Sequence, residues 1–393
     1  MIPFGFPLGK VGFRSSSMNP PQTASGLLKK PIMTHKKDLG EIARSVQTEL
    51  DQVRTLIAER VFMEESFGEL LVATGEKLVW EKITLPSWLE SVVYKDTFST
   101  ESRSHLMARH LASQGGKLFR ATLILLTTQA LNPRENRSPR LATAMELIHL
   151  ATLLHDDVID RAEVRRGSPS LPSIFDNSPT VLMGDHLFAR AFELIAECGL
   201  MSIISSSCRA TSAMCRGEIE QLHWIGRLDV NEETYFRLIE MKTAALMGSC
   251  TESAALLCGQ EACQGDWYRF GLNLGLLFQM TDDLLDLTGD ANIFGKQTGS
   301  DFTAGKYTLP LILLRNRLGS PEALQKLFDS PQAMAEIQMA LQQHGVLNEV
   351  RDHLNDLVES CRTLLAHLGD QLGMRESLVP LEELVEFVVS RDR

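Results

Sequence analysis

Residues 141 to 160 read LATAMELIHLATLLHDDVID, and the run continues over 161 to 167 as RAEVRRG. Apolar side chains fall on nearly every face of this stretch, with no Gly or Pro to break it, which predicts a helix enclosed by protein. Its few polar residues therefore stand out. Glu146 and His149 lie inside the apolar run, and Asp156, Asp157 and Asp160 crowd its end. Positions i and i+4 share a helix face, so Asp156 and Asp160 pair, with Asp157 beside them. Such a cluster repels itself unless a cation sits in it. Arg165 and Arg166 follow, and carboxylates next to guanidiniums suit a metal-bridged polyphosphate. The alternative is a solvated acidic helix end.

A second stretch has the same design. Phe270 to Asp286 is again apolar and helical in spacing, and it closes on Phe278-Gln279-Met280-Thr281-Asp282-Asp283-Leu284-Leu285-Asp286. Two copies of one acidic spacing, each ending an apolar helix, argue against coincidence. If the helices face each other across a bundle, their carboxylates converge on one mouth. Hard divalent cations prefer oxygen, and Mg²⁺ keeps waters and phosphate oxygens in its shell, so Mg²⁺ with a diphosphate fits better than an all-protein calcium cage.

Composition narrows the fold class. Hydrophobic residues make up 44% of the 393 and aromatics only 6%. Apolar positions recur at three- and four-residue spacing, so the chain is expected to be all-α. The net charge is −11 although residues 1 to 37 carry six Lys or Arg and no acid, and so acidic a remainder argues against a nucleic-acid surface. The seven cysteines (198, 208, 215, 250, 258, 263 and 361) have no zinc-ligand spacing and read as reduced core residues. No run approaches a membrane span, although a greasy substrate or product would still bring transient membrane contact.

Residues 1 to 37 hold five prolines and a Ser15-Ser16-Ser17 run, so they are expected to be a disordered or organelle-targeting extension, or a misassigned start ahead of Met33. From 38 to 393 no internal repeat marks a boundary, and one catalytic domain is expected. Leu39, Ile42, Val46, Leu50, Val53, Leu56, Ile57 and Val61 draw an apolar stripe along one helix. Glu65 to Val79 is expected to be a second helical segment.

Gly115-Gly116 should bend the chain and bring bare amides near a ligand, with Lys117 and Arg120 following; a helix cap beside a solvated basic pair is the alternative. Helices are expected over Thr180 to Cys198 and Ser202 to Leu222, the latter holding Cys215-Arg216-Gly217-Glu218-Ile219-Glu220-Gln221. Asn231 should cap the next helix, which carries Lys242 and Thr243 in an apolar setting. Lysine there either snorkels to solvent or points into an anionic site. The glycines and lysines of 289 to 308, Lys296 and Lys306 among them, suggest a loop that folds over a phosphate. Leu309 to Arg393 reads as packing.

These segments together resemble the trans-isoprenyl diphosphate synthases, the polyprenyl synthetase family. The resemblance is carried by GGKLFR at 115 to 120, ELIHLATLLHDDVID at 146 to 160, RRG at 165 to 167, MGDHLFARAF at 183 to 192, KTAAL at 242 to 246, FQMTDDLLD at 278 to 286 and GKQTGSDFTAGKYTLP at 295 to 310. It implies a single-domain bundle of antiparallel helices around a deep central cavity, commonly a homodimer. Asp156, Asp160 and Asp282 resemble direct Mg²⁺ ligands, with Asp157, Asp283 and Asp286 as ligands or water-mediated supports. The resemblance implies about three such ions per active site. Arg165, Lys242, Gln279, Lys296 and Lys306 are similar to residues that hold an allylic diphosphate primer, with Thr243 adjoining; Lys117, Arg120, His149 and Arg166 resemble an isopentenyl diphosphate site. One departure is that the family often has a basic residue and a proline where this chain has Leu118 and Ala121.

The activity so implied is head-to-tail addition of isopentenyl diphosphate to an allylic diphosphate. Ala151 and Thr152 lie about 7.5 and 6 Å before Asp156 at helical rise. Both are small where the family's short-product members carry an aromatic, so a long-chain product, of the kind used for quinone side chains, is expected. The competing expectations are a short-chain synthase, a head-to-head synthase or terpene cyclase, and a non-catalytic partner subunit, which typically loses aspartates that this chain keeps. The expected location is cytoplasmic, or an organelle matrix if residues 1 to 37 are a transit segment.

Overall fold

The innermost helix is built from small residues. In the computed structural model, which describes residues 37–61, 69–74, 77–82, 106–108, 110–111, 116–165, 167–288 and 299–391, every residue of Ala245–Leu257 is buried. Its sequence, ALMGSCTESAALL, is rich in Ala, Ser, Gly and Thr, and such side chains let neighbouring backbones approach closely.

The helices around it, in chain order, are α1 (Leu39–Ile42), α2 (Gln47–Val61), α3 (Phe119–Leu131), α4 (Ser138–Ile159), α5 (Asn177–Glu197), α6 (Met201–Trp224) and α7 (Glu232–Ile239). The innermost helix is α8 (Ala245–Leu257), followed by α9 (Gln264–Thr288), α10 (Leu309–Leu318), α11 (Val346–Leu372) and α12 (Val379–Ser390). Helix α8 packs against α3, α4, α6 and α9, while α4 lies between α3 and α5, and α9 is covered outside by α11 and α12. The all-α expectation holds. No described helix is long and apolar enough to cross a membrane.

Local chemistry explains the helix ends. Asp38 and Glu41 form a reciprocal capping box at α1. The Asn231 side chain accepts from the Thr234 amide at 2.8 Å and caps α7, as expected from sequence. Helix α4 begins with Pro139 in its first turn and is buried through most of its length to Ile148. Beyond that point, one face, His149, Thr152, Leu153, Asp156 and Ile159, lines a cavity.

Two expectations change. Residues 65 to 79 were expected to be helical, but Glu69–Thr74 and Lys77–Lys82 are antiparallel strands, with Leu71 opposite Trp80 and Val72 opposite Val79. Valine and Trp favour strands, and that preference outweighs the weak helical spacing. The cysteines are all free, but Cys208 and Cys215 are exposed rather than core. They stand seven residues apart on α6, where helical periodicity puts both on one side, and Cys215 lines the cavity described below. The segment 1–36, which holds nearly all of the expected extension, lies outside the described residues.

The α8/α9 seam is a close backbone approach. A Cβ built on Gly271 of α9 would lie 2.3 Å from the Met247 carbonyl oxygen and 2.3 Å from Thr251 Oγ1, and one on Gly275 would lie 2.5 Å from Ala244 Cα. Alanine for glycine favours a helix by about 1 kcal/mol. Overpacking a core costs about 1 to 3 kcal/mol, and here the obstacle is backbone, which cannot swing aside. Gly271→Ala is therefore expected to lower the melting temperature in thermal unfolding; an unchanged or raised value would show that the seam relaxes.

Candidate active site

The cavity has a volume of about 740 Å³ and is lined from α3, α4, α5, α6, α7, α9, the Glu240–Ala244 turn and the Asp301–Thr308 segment. The ends of α4 and α9 both reach it. Asp156, Asp282 and Asp283 line its wall, together with Arg120, His149, Arg165, Lys242, Thr243, Gln279 and Lys306. Residues from every segment that carries the family resemblance thus meet at one place.

The first acidic cluster is not uniform. Asp156 lines the cavity, and its carboxylate makes no hydrogen bond or ion pair among the described residues. Burial pushes its pKa up to about 7, the Glu218 and Asp160 carboxylates add to this, and Lys242 and Arg165 oppose it. Asp157 points away from the cavity: it is 2% exposed, and Arg165 Nε donates to its Oδ1 at 2.6 Å. Arg165 is presented by a small hairpin, Val164–Arg165 with Ser168–Pro169. Asp160 accepts from Lys306 Nζ at 2.7 Å, so the segment after the second cluster reaches back to the first.

The second cluster is likewise divided among tasks. Asp282 lines the cavity and is paired with Arg391 Nη2 at 2.8 Å. That guanidinium also stacks over Phe278, 3.8 Å from its ring centre, and donates to the Phe278 carbonyl. The C-terminal region, expected to be packing alone, therefore supplies a charge to the site. Asp283 is buried and accepts from Gln279 Nε2 at 2.8 Å and from the Tyr235 hydroxyl at 2.7 Å. Burial, then the neighbouring Asp301, push its carboxyl well above the ordinary range. Asp286 turns to the backbone: it accepts from the Ser300 amide and hydroxyl and the Asp301 amide, at the start of the Ser300–Thr303 helix.

Lys242 sits on a turn of π-helix, Glu240–Ala244, between α7 and α8. Such widened turns aim side chains in directions a regular helix does not offer. Its ammonium pairs with Glu218 at 2.5 Å and donates to Gln221, so it points into the site instead of snorkelling. Helix α6 reaches it through Gly217, where a Cβ would lie 2.8 Å from Lys242 Cγ. Thr243 Oγ1 donates to Gln279 Oε1 at 2.8 Å, orienting the amide that holds Asp283.

On α3, Arg120 is buried and lines the cavity, as does His149 of α4, while Lys117 is exposed and outside the lining. Glu146, unexplained by sequence, accepts from the Ala121 amide at 2.9 Å and so fixes the start of α3 against α4. A proline at 121 has no N–H to give. The departure from the family pattern thus carries a bond of its own. Leu118 adopts a left-handed conformation at φ 50° just before the helix. Ala151 is fully buried and absent from the lining, whereas Thr152 lines the cavity. Gly115, Arg166 and Lys296 lie outside the described residues. The sequence reading assigned no role to Glu218, Gln221, Tyr235, Asp301 or Arg391. Glu218, Gln221 and Asp301 sit inside stretches it quoted, but only the fold gives them partners.

No group of three or more His, Cys, Asp or Glu among the described residues gathers as closely as a ready-made metal cage needs. The donors nevertheless suit a hard cation. They are carboxylate oxygens on two walls of a water-accessible cavity, and Asp156 has no cationic bond of its own. Mg²⁺ takes one or two carboxylates and completes its shell with water and phosphate oxygens, so it requires no cage.

A helical bundle enclosing a cavity with two acidic helix ends and a ring of basic side chains defines the helical isoprenoid synthase class. The sequence profile of the family described as polyprenyl synthetase matches residues 102–344. The octaprenyl diphosphate synthase of Escherichia coli is 32% identical over 294 residues, spanning 72% of this chain and 88% of that one. Heptaprenyl diphosphate synthase component 2 of Geobacillus stearothermophilus is 35% identical over 288 residues, 72% of this chain and 89% of its own. A crystal structure of a polyprenyl synthase from Caulobacter crescentus, complexed with calcium and isoprenyl diphosphate, superposes with a TM-score of 0.73 at 29% identity, covering 91% of this chain and 99% of the other. The chain belongs to the polyprenyl synthetase family and is a prenyltransferase.

The Asp156 environment has a measurable consequence. Unfolded, an aspartate titrates near 3.8, while folded Asp156 keeps its proton up to about 7. Below 3.8 both states are protonated and nothing is lost; as pH rises through that window the unfolded chain ionises first and stability falls, with the full loss above about 7. Asp156→Asn removes this cost. In ligand-free protein it is expected to raise the unfolding free energy, measured by denaturant titration, by on the order of 2 kcal/mol more near pH 8 than near pH 5. Equal effects at the two pH values would contradict the buried, uncompensated carboxyl.

Proposed function

We propose that this protein is a Mg²⁺-dependent synthase that adds isopentenyl diphosphate head-to-tail to an allylic diphosphate and makes a long-chain trans-polyprenyl diphosphate. The observation that carries this is the convergence of Asp156, Asp160 and Asp282 with Lys242, Lys306, Arg120 and Arg165 around one cavity. The relatives named for octaprenyl and heptaprenyl products, and a solved relative complexed with calcium and isoprenyl diphosphate, support it.

In this reading Asp156, Asp160 and Asp282 hold Mg²⁺, with about three ions per site, and Asp157, Asp283 and Asp286 support them. The bound cations supply charge neutralisation at the departing diphosphate. Lys242, Arg165, Lys306 and Lys296, with Gln279 and Thr243, hold the allylic diphosphate and favour loss of its C–O bond by stabilising the negative charge that builds on oxygen. Lys117, Arg120, His149 and Arg166 orient the second substrate, so its double bond attacks the allylic carbon. The cavity's apolar wall, Leu153, Phe188, Met214 and Ile219, excludes water from the cation. The addition leaves positive charge on the tertiary carbon of the added unit; a proton then leaves the adjacent carbon, its C–H electrons form the new double bond, and the released diphosphate is the base at hand.

Small residues below the first aspartates leave room for an elongating chain, and Thr152 is the one that faces the cavity. The product would serve as a quinone side chain, drawing the enzyme to membranes only transiently, and the enzyme would work in the cytoplasm, or in an organelle matrix if residues 1 to 37 direct it there. A homodimer is proposed. Because one relative is a synthase component, a heteromeric assembly is the second reading; a catalytic chain needs both acidic clusters, and this chain has both.

Purified protein incubated with Mg²⁺, farnesyl diphosphate and labelled isopentenyl diphosphate should form long prenyl products, sized by chromatography after dephosphorylation. Thr152→Phe should shorten them. Absence of any elongation by the chain alone would favour the partner-subunit reading, and unchanged length in the variant would remove Thr152 from the product tunnel.

A further inference from the structure

We infer that Tyr235 is a positioning residue of this site, acting through Asp283 on cation binding. Its hydroxyl is buried, and it donates to Asp283 Oδ2 at 2.7 Å across 48 residues of chain. The other oxygen of the same carboxylate, Oδ1, accepts from Gln279 Nε2 at 2.8 Å, and Gln279 Oε1 in turn accepts from Thr243 Oγ1 at 2.8 Å. Thr243, Gln279, Asp283 and Tyr235 thus form one directed chain that enters the carboxylate from both sides. A carboxylate has about four lone-pair directions, and two remain for a cation. One donor on each oxygen prevents rotation about the bond to Cβ, so those two directions are fixed before any ligand arrives.

The anchoring of Tyr235 fits this task. It lies one turn inside α7, whose start is fixed by the Asn231 cap. The connection before that cap is held by Arg315, which donates to the Leu228 and Val230 carbonyls at 2.6 and 2.5 Å. Helix α7 packs on α6, α9, α10 and the π turn, so the phenol reports the arrangement of all the elements that carry Lys242 and the second acidic cluster. A buried carboxylate needing only satisfaction would be served by Gln279 and water; here a second, dry donor comes from a different helix. Partners of this kind, bonded to a metal-binding group, typically change metal affinity 10- to 100-fold when removed.

The inference rests on the proposed role of Asp283 in cation binding, and the test separates the two. Mn²⁺ binding to the full chain in the presence of inorganic pyrophosphate is measured from the free Mn²⁺ electron paramagnetic resonance signal, for wild type, Tyr235→Phe, Asp283→Asn and the double variant. Tyr235→Phe is expected to bind Mn²⁺ about tenfold more weakly with native circular dichroism. It should add nothing further to Asp283→Asn, and its turnover defect should be recovered by raised metal concentration. Weakened binding in Asp283→Asn but wild-type binding in Tyr235→Phe overturns the inference and leaves the reading of Asp283 standing. Wild-type binding in Asp283→Asn overturns both, as additive losses in the double variant overturn the action through Asp283. Should Tyr235→Phe not fold, Thr243→Val reads the same chain from its other end, and wild-type Mn²⁺ affinity there would sink it.

Discussion

Crowding several carboxylates, two of them buried, at the mouth of one cavity is the constraint on which the rest of this structure depends. Like charges in a partly desolvated site repel, and burial itself disfavours the ionised form. The fold answers with compensation drawn from distant segments. Arg165 takes Asp157, Lys306 takes Asp160, Arg391 takes Asp282, and the amides of 300 and 301 take Asp286. Asp156 and Asp283 remain without a basic partner, and theirs are the carboxyls pushed far above the ordinary range. A site left electrically short in this way is prepared to accept positive charge from outside.

Positioning those groups falls to a different physical device, close backbone approach. Helix α9 carries the second acidic cluster and is pressed onto α8 at Gly271 and Gly275, while α6 reaches the Lys242 turn at Gly217. Where side chains are absent, helix separation is set by backbone contact, which is stiff. Interiors packed this densely have little room for an added methyl group. The π-helical turn is the exception to regularity in this region, and it is the element that aims Lys242 and Thr243.

Some of this was legible in the chain and some was not, for identifiable reasons. The helices of the core were readable because their apolar residues repeat at helical spacing over three turns or more, as in α4 and α9. The Asn231 cap was readable because capping is a local bond. The strands Glu69–Thr74 and Lys77–Lys82 are not legible because short apolar runs carry little periodicity. Arg391 was missed because an arginine at the end of a surface helix has no local feature that distinguishes it, and its partner lies 109 positions away in sequence. Tyr235 looked like any apolar position in a helix; only its hydroxyl's contact with Asp283 gives it a task.

By itself the sequence determined which groups would be acidic, which basic, and that two acidic ends would close two buried helices. Those facts follow from residue identity and helical periodicity, which are properties of ten to twenty consecutive residues. The tertiary structure alone decided how the aspartates divide: Asp156 is open to the cavity, Asp157 is committed to an arginine, Asp283 is clamped by a tyrosine and a glutamine, and Asp286 caps a later turn. Three residues of one motif, spaced around a helix, inevitably face different surroundings. Their fates depend on what the remainder of the bundle places opposite them, and contacts between segments tens of residues apart are not written in either segment.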